Sequence, residues 1–146
     1  MDSYTLGASF CRHSFKMGGV CIFVHKNLTF MNIDLEKFSH EWDIEASTVK
    51  ITINHVNICI LSTYRAYSGN FAHFLDKLEG ILNLLKRNDT QLIICGDLNI
   101  NYLVENNKKT LLDSLLASYN STGTVYFPTR IKSNSATAID NIFIYF

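Results

Sequence analysis

The chain has 146 residues, 47% of them apolar, which is enough for one domain with a sizeable core and too few for two. Its 13 basic and 13 acidic residues cancel, so no whole-molecule field draws it to nucleic acid or to a membrane; any nucleic-acid contact has to be local. Cys11, Cys21, Cys59 and Cys95 lie far apart with no C-x-x-C pair, which argues against disulfides and a zinc site. Cys21, Cys59 and Cys95 each sit in an apolar run and are expected to be buried free thiols. The opening "MDSYTLGASF" has no basic stretch leading into a long apolar one, and no run is long enough to span a bilayer. An intracellular chain, cytoplasmic or nuclear, with no membrane partner is expected.

The first half reads as strands. "YTLGASFCR" is a weak one, and "GGVCIFVH" follows the Gly18-Gly19 turn. "STVKITIN" alternates, with Val49, Ile51 and Ile53 on one face. "VNICILSTY" comes close enough behind to form a hairpin with it, and its nearly continuous apolar run suits a strand covered on both faces. The period then changes: Phe71, Phe74, Leu75, Leu78, Ile81, Leu82 and Leu85 recur at helical spacing, with Asn70 as N-cap. "QLIICGDLNINY" returns to a strand, and Leu111, Leu112, Leu115 and Leu116 mark a shorter helix from about Lys108 to Ser118. "GTVYFPTR" and "ATAIDNIFIYF" are expected as two closing strands, with the lone proline, Pro128, ending the first. Hairpins first and interspersed helices later predict an α+β layered domain with a mixed sheet.

Three constellations carry chemistry. Asp97 and Asn99 follow the end of a core strand. In an extended segment residues i and i+2 point the same way, so the carboxylate and the carboxamide can reach one ligand, a metal or an attacking water. An Asp/Asn turn bonded to local backbone uses the same residues. Tyr64 and Arg65 end another core strand, where a phenol and a guanidinium can contact phosphate; an ordinary packed Tyr and a surface Arg fit equally. Asp140 interrupts an apolar strand, where a half-buried carboxylate costs stability unless it is bonded.

Their order is more specific than any of them. Strand-Tyr-Arg, helix, strand-Gly-Asp-x-Asn, helix, Pro-Thr-Arg, then Ile-Asp-Asn-Ile-Phe resembles the endonuclease/exonuclease/phosphatase superfamily. Within it, the chain is most similar to the endonuclease domain of jockey-like non-LTR retrotransposons, over roughly Tyr4 to Phe143. The resemblance implies a four-layer α/β sandwich that hydrolyses phosphodiester bonds with Mg²⁺ or Mn²⁺. By motif position Asp97 would bind metal and position the attacking water, and Asn99 would share the metal and orient the water with the phosphate. Tyr64 would contact the scissile phosphate, and Asp140 would hold a catalytic histidine in its working tautomer. Thr129 would contact DNA, with Arg65, Arg130 and Lys132 as phosphate contacts. DNA is the implied partner, with a reverse transcriptase domain C-terminal in the full element.

The family also carries an Asn and a metal-binding Glu ahead of the Gly-Gly strand, and a closing Ser-Asp-His. Here 17 residues precede Gly18, with Asp2 the sole acid among them, and the last histidine is His73. "HEWDIEAS" reads as an ordinary lead into the next strand. The expectation is therefore a domain incomplete at both ends, with weak or no nuclease activity. Exposed sheet edges should make it marginally stable or self-associating. Two alternatives follow: a non-catalytic remnant that binds DNA weakly, and a small-phosphoester phosphatase of the same superfamily.

Overall fold

The computed structural model describes residues 2–14 and 18–145. In chain order the elements are β1 (Tyr4–Phe10), β2 (Val20–His25), β3 (Phe30–Ile33), β4 (Glu45–Ile53), β5 (Val56–Tyr64) and α1 (Phe71–Leu85). Then come β6 (Thr90–Asp97), α2 (Asn107–Ala117), β7 (Ser121–Gly123), β8 (Arg130–Lys132), β9 (Ser135–Thr137) and β10 (Asp140–Tyr145). A six-stranded sheet runs in the order β3-β4-β5-β6-β10-β7, with two-stranded sheets β1-β2 and β8-β9 beside it. Only β5 and β6 pair in parallel, because α1 supplies the crossover between them; the other pairs are antiparallel, so the sheet is mixed.

The sheet buries one face against the helices and the β4–β5 part of the other against the β1-β2 hairpin, and the parity of each strand decides which residue goes where. On one face α1 seats Phe74, Leu78, Ile81, Leu82 and Leu85 and α2 seats Leu112 and Leu116, against Ala46, Cys59, Leu61, Leu92, Ile94 and Phe143. Burying each leucine-sized side chain contributes roughly 1.5–3 kcal/mol, so this face dominates the stability. On the other face the β1-β2 hairpin lays Ala8 and Val24 over Val49 and Ile51, with Ile58 and Ile60 packed alongside. The result is an α+β sandwich of helices, central sheet and outer hairpin, and β5 is covered on both sides as its apolar run predicts. Both helices are capped by asparagine: the Asn70 side chain accepts from the His73 amide and the Asn106 side chain from the Lys109 amide.

Four features depart from the sequence reading. The strand expected over "GTVYFPTR" is a loop from Thr124 to Thr129, between short β7 and β8. The buried Asn141 side chain explains it: its Oδ1 accepts the amides of Thr124 and Val125, and its Nδ2 donates to the Val125 carbonyl, in place of a ladder. Pro128 therefore ends no strand. "ATAIDNIFIYF" divides into β9 and β10 because the backbone at Ala138 and Ile139 turns inward, accepting from the amides of Tyr102 and Leu98; its last residue, Phe146, lies outside the described residues. The edge strand β3 is too short and too mixed in pattern to announce itself. Finally, all four cysteines are free thiols, but Cys21, like Cys11, is exposed, while Cys59 is buried and Cys95 half-buried. Cys21 sits on the outer hairpin, whose far face has nothing against it among the described residues. No helix among the described residues is long and apolar enough to cross a membrane.

Candidate active site along one row of the central sheet

Register brings the site together. Glu45 pairs with Tyr64 across β4 and β5, Tyr64 with Asp97 across β5 and β6, and Asp97 with Asp140 across β6 and β10. Paired residues share a face, and the helix-side core takes Ala46 and Leu61, Ile94 and Phe143. The alternate positions, which include all four row residues, therefore face the hairpin side. At about 4.8 Å per strand, the row from Glu45 to Asp140 spans roughly 14 Å.

Glu45 is a residue the sequence reading passes over, yet it is fully buried. Its Oε1 accepts from Arg12 Nε at 2.6 Å and from the Trp42 amide at 3.1 Å, and its Oε2 accepts from the Gly19 amide at 2.7 Å. Arg12 Nη2 also meets Oε1 at 2.6 Å. The guanidinium stands over the rings of Trp42 and Tyr64, at 5.3 and 5.5 Å from their centroids. Burial works against the Arg12 charge, and the Glu45 carboxylate with the Tyr64 phenol more than offsets it, so the Arg12 pKa is raised. These contacts pin Arg12, just after β1, and Gly19, just before β2, onto the sheet. The signal was present in the sequence: counting back by twos from Val49 and Ile51 puts Glu45 on the buried hairpin face.

At the other end of the row the charges are not matched. Asp97 is half-buried, and burial raises its pKa; the Asn99 amide bonded to Oδ1 at 3.0 Å lowers it, and the neighbouring Asp140 charge raises it again. The net direction is up. Arg130 and Arg65 oppose the rise only through their more distant charge. Asp140 is exposed, and no side chain among the described residues pairs with its carboxylate. Its amide and that of Ile139 donate to Thr129 Oγ1, so Thr129 fixes the backbone that carries Asp140. Asp97, Asp140, Thr129, Phe127 and Asn141 line an open cleft of about 320 Å³.

Asn99 and Arg65 stand differently from the arrangement the sequence suggests. Asn99 has φ 50°, so Asp97 and Asn99 do not sit on one extended segment; the Asp97 carboxylate caps an Asx turn. The Asn99 side chain nevertheless stays at the row, where its Nδ2 donates to the Arg65 carbonyl at 2.8 Å and leaves its oxygen to other partners. Arg65 does not present a guanidinium to solvent. It is fully buried and donates to the carbonyls of Leu98, Ala66, Gly69 and Asn99, with its plane near the rings of Phe71 and Phe74. Burial lowers the Arg65 pKa, against the charges of Asp97 and Asp43. Its geometry is that of a clamp holding the 65–69 and 98–99 loops together. Arg130 and Lys132 are exposed on β8 and not in the row; of the two, Arg130 is close enough for its charge to act on Asp97.

The glycine of the Gly-Asp-x-Asn motif has its own reason. A Cβ on Gly96 would lie 1.7 Å from the Thr63 carbonyl oxygen, so only glycine lets β6 approach β5 just before Asp97.

The endonuclease domain of TRAS1, a telomere-specific non-LTR retrotransposon, superposes with a TM-score of 0.75 at 15% identity, over 98% of this chain and 67% of that one. This chain has the endonuclease/exonuclease/phosphatase fold. The same fold is shared with D. rerio TDP2 in complex with a single-stranded DNA product, at TM-score 0.64 and 13% identity over 99% of this chain and 62% of that one. An endonuclease/exonuclease/phosphatase family protein from Bacteroides thetaiotaomicron matches at TM-score 0.67 and 14% identity, over 99% of this chain and 62% of that one. The chain thus spans about two-thirds or less of these relatives' length. No family model matches the sequence, and no curated protein does.

Proposed function

We propose that the row is a metal-dependent phosphodiesterase centre and that the chain is the DNA-nicking endonuclease domain of a retroelement. One observation carries the reading: Tyr64, Asp97 and Asp140 stand in register on adjacent strands and on one face. Two carboxylates on neighbouring strands, one of them half-buried with a raised pKa, form an all-oxygen donor set with unmet negative charge. Mg²⁺ and Mn²⁺ favour such a set, together with phosphate oxygens and water. Asp97 and Asp140 would hold the ion, with the Asn99 carboxamide oxygen beside them; bound there, it would stabilise the charge that develops on the phosphate.

The chain's own groups have separate tasks. Asp97 accepts a proton from the attacking water, and Asn99 orients that water from a side chain already anchored on Arg65. Tyr64 presents its phenol to the phosphate between Asp97 and the Arg12 guanidinium. Thr129 sets the position of Asp140, and Arg130 and Lys132 meet the DNA backbone at the cleft's margin.

Supercoiled plasmid incubated with the chain and Mg²⁺ or Mn²⁺ is expected to give nicked circles at a weak rate, as the missing family Glu and His imply, EDTA to stop the reaction, and Asp97→Ala to lower the rate by at least about 10²-fold. Plasmid that stays supercoiled at every metal and enzyme concentration overturns the reading. A second reading, a DNA-binding remnant without catalysis, is favoured by another observation: none of the row positions is a histidine, and the Glu45 carboxylate is already occupied by Arg12. Retarded migration of a DNA duplex without nicking is its signature.

A further inference from the structure

Outside the row, one cluster of metal-ligating side chains has no part in the chemistry above. His40 and Asp43 lie in the turn before β4, and His73 lies in the first turn of α1. Nδ1 of His73 stands 2.8 Å and Nδ1 of His40 3.4 Å from the same Asp43 oxygen, Oδ2, and one ligand atom from each residue falls within 4.8 Å of the others. The two imidazoles meet edge to face at 5.1 Å. A tetrahedral ion with bonds of about 2.0–2.2 Å needs ligand atoms roughly 3.3 Å apart; both contacts to Asp43 are within about half an ångström of that spacing, and a turn of the exposed His40 side chain closes the remaining gap between the imidazoles.

The frame around them is fixed. The other Asp43 oxygen accepts the Asn70 amide at 2.6 Å, the Trp42 carbonyl accepts the Ala66 amide at 2.8 Å, and His40 bridges to Ile44. A Cβ on Gly69 would lie 2.2 Å from the Trp42 carbonyl oxygen, so the 66–69 loop is pressed against the turn. The Asp43 side chain is 15% exposed and His73 31%, while His40, at 63%, leaves one side open to solvent. Nδ1 of His40 also approaches the Glu41 carbonyl at 3.1 Å; coordination would replace that contact and the proton His73 shares with Asp43.

We propose that His40, Asp43 and His73 form a second metal site, distinct from the row and selective for a borderline ion of the Zn²⁺ class, with water completing a tetrahedron. Two imidazoles and one carboxylate suit such an ion better than Mg²⁺, which favours oxygen donors. Its effect is to staple the turn leading into Glu45 to the start of α1. The site is independent of the phosphodiesterase reading, and its test does not depend on nicking.

Co²⁺ titrated into the full chain is the probe, read by its visible d–d absorption. The expected result is an intense tetrahedral-type band that saturates at one equivalent, is bleached by Zn²⁺, and carries no sulfur-to-cobalt charge-transfer band from the exposed Cys11 or Cys21. His40→Ala, a substitution at an exposed side chain, should weaken binding by more than about 100-fold, since loss of an outer-shell partner alone costs about 10–100-fold. His73→Gln should do the same, with both variants melting in EDTA as the parent does. The weak spectrum of hydrated Co²⁺, a thiolate band, or a tetrahedral band that survives in His40→Ala overturns the proposal.

Discussion

The row across the central sheet has two halves built on opposite principles. At the β4 end, Glu45 is fully buried and every need of its carboxylate is met by Arg12 and two backbone amides. At the β6-β10 end, Asp97 and Asp140 stand side by side, and burial together with mutual repulsion raises the Asp97 pKa. The same residue class, on the same face and in the same register, is neutralised where the protein supplies the counter-charge and left with unmet charge where it does not. A carboxylate's role here is set by what its neighbours have already neutralised.

The contrast is most easily broken by removing the charge on each half. Glu45→Ala removes the buried carboxylate that Arg12 Nε and Nη2 meet and should cost about 3–5 kcal/mol in denaturant unfolding. Arg12→Met/Glu45→Met should recover part of that loss, because both members of the ion pair are then replaced by apolar side chains; a double variant as unstable as Glu45→Ala contradicts the pairing. Next in size is Thr129→Val, which removes the acceptor for the Ile139 and Asp140 amides. It should cost about 0.5–1.5 kcal/mol and shift Asp140 enough to weaken the proposed Mg²⁺-dependent nicking.

Asp97→Asn is expected to go the other way in stability. A folded pKa above the unfolded one means the native state binds the proton more tightly. Parent stability in EDTA is then greatest below the ordinary carboxylate range and falls as pH rises through the raised value. The Asn variant should lack that fall and melt no lower than the parent at neutral pH. A lower melting temperature there removes the claim of unmet charge. Smallest of all is Arg130→Gln/Lys132→Gln, whose stability should stay within about 0.5 kcal/mol of the parent. Its DNA binding should show a shallower salt dependence, by about one to two phosphate contacts.

The sequence discloses most of what periodicity can encode. β4, β5, α1 and β6 are long, and their apolar pattern matches the faces they bury. The short closing strands are hidden because Asn141 replaces a ladder with its side chain, an arrangement that needs the tertiary contact to exist before it can be read. Motif order singles out Tyr64, Asp97 and Asp140, and register alone shows that they share a row. Glu45 was accessible through strand parity. Arg65 was not, since a guanidinium buried among backbone carbonyls leaves no local trace, and the left-handed backbone of Asn99 is equally silent.

Gly96 carries a warning for anyone ranking positions by loss of activity. A side chain there collides with the backbone of the adjoining strand, so every replacement lowers the amount of intact protein before it reaches any reaction step. Screens that score phenotype without measuring abundance will rate this position beside Asp97, although it contributes no atom to the chemistry.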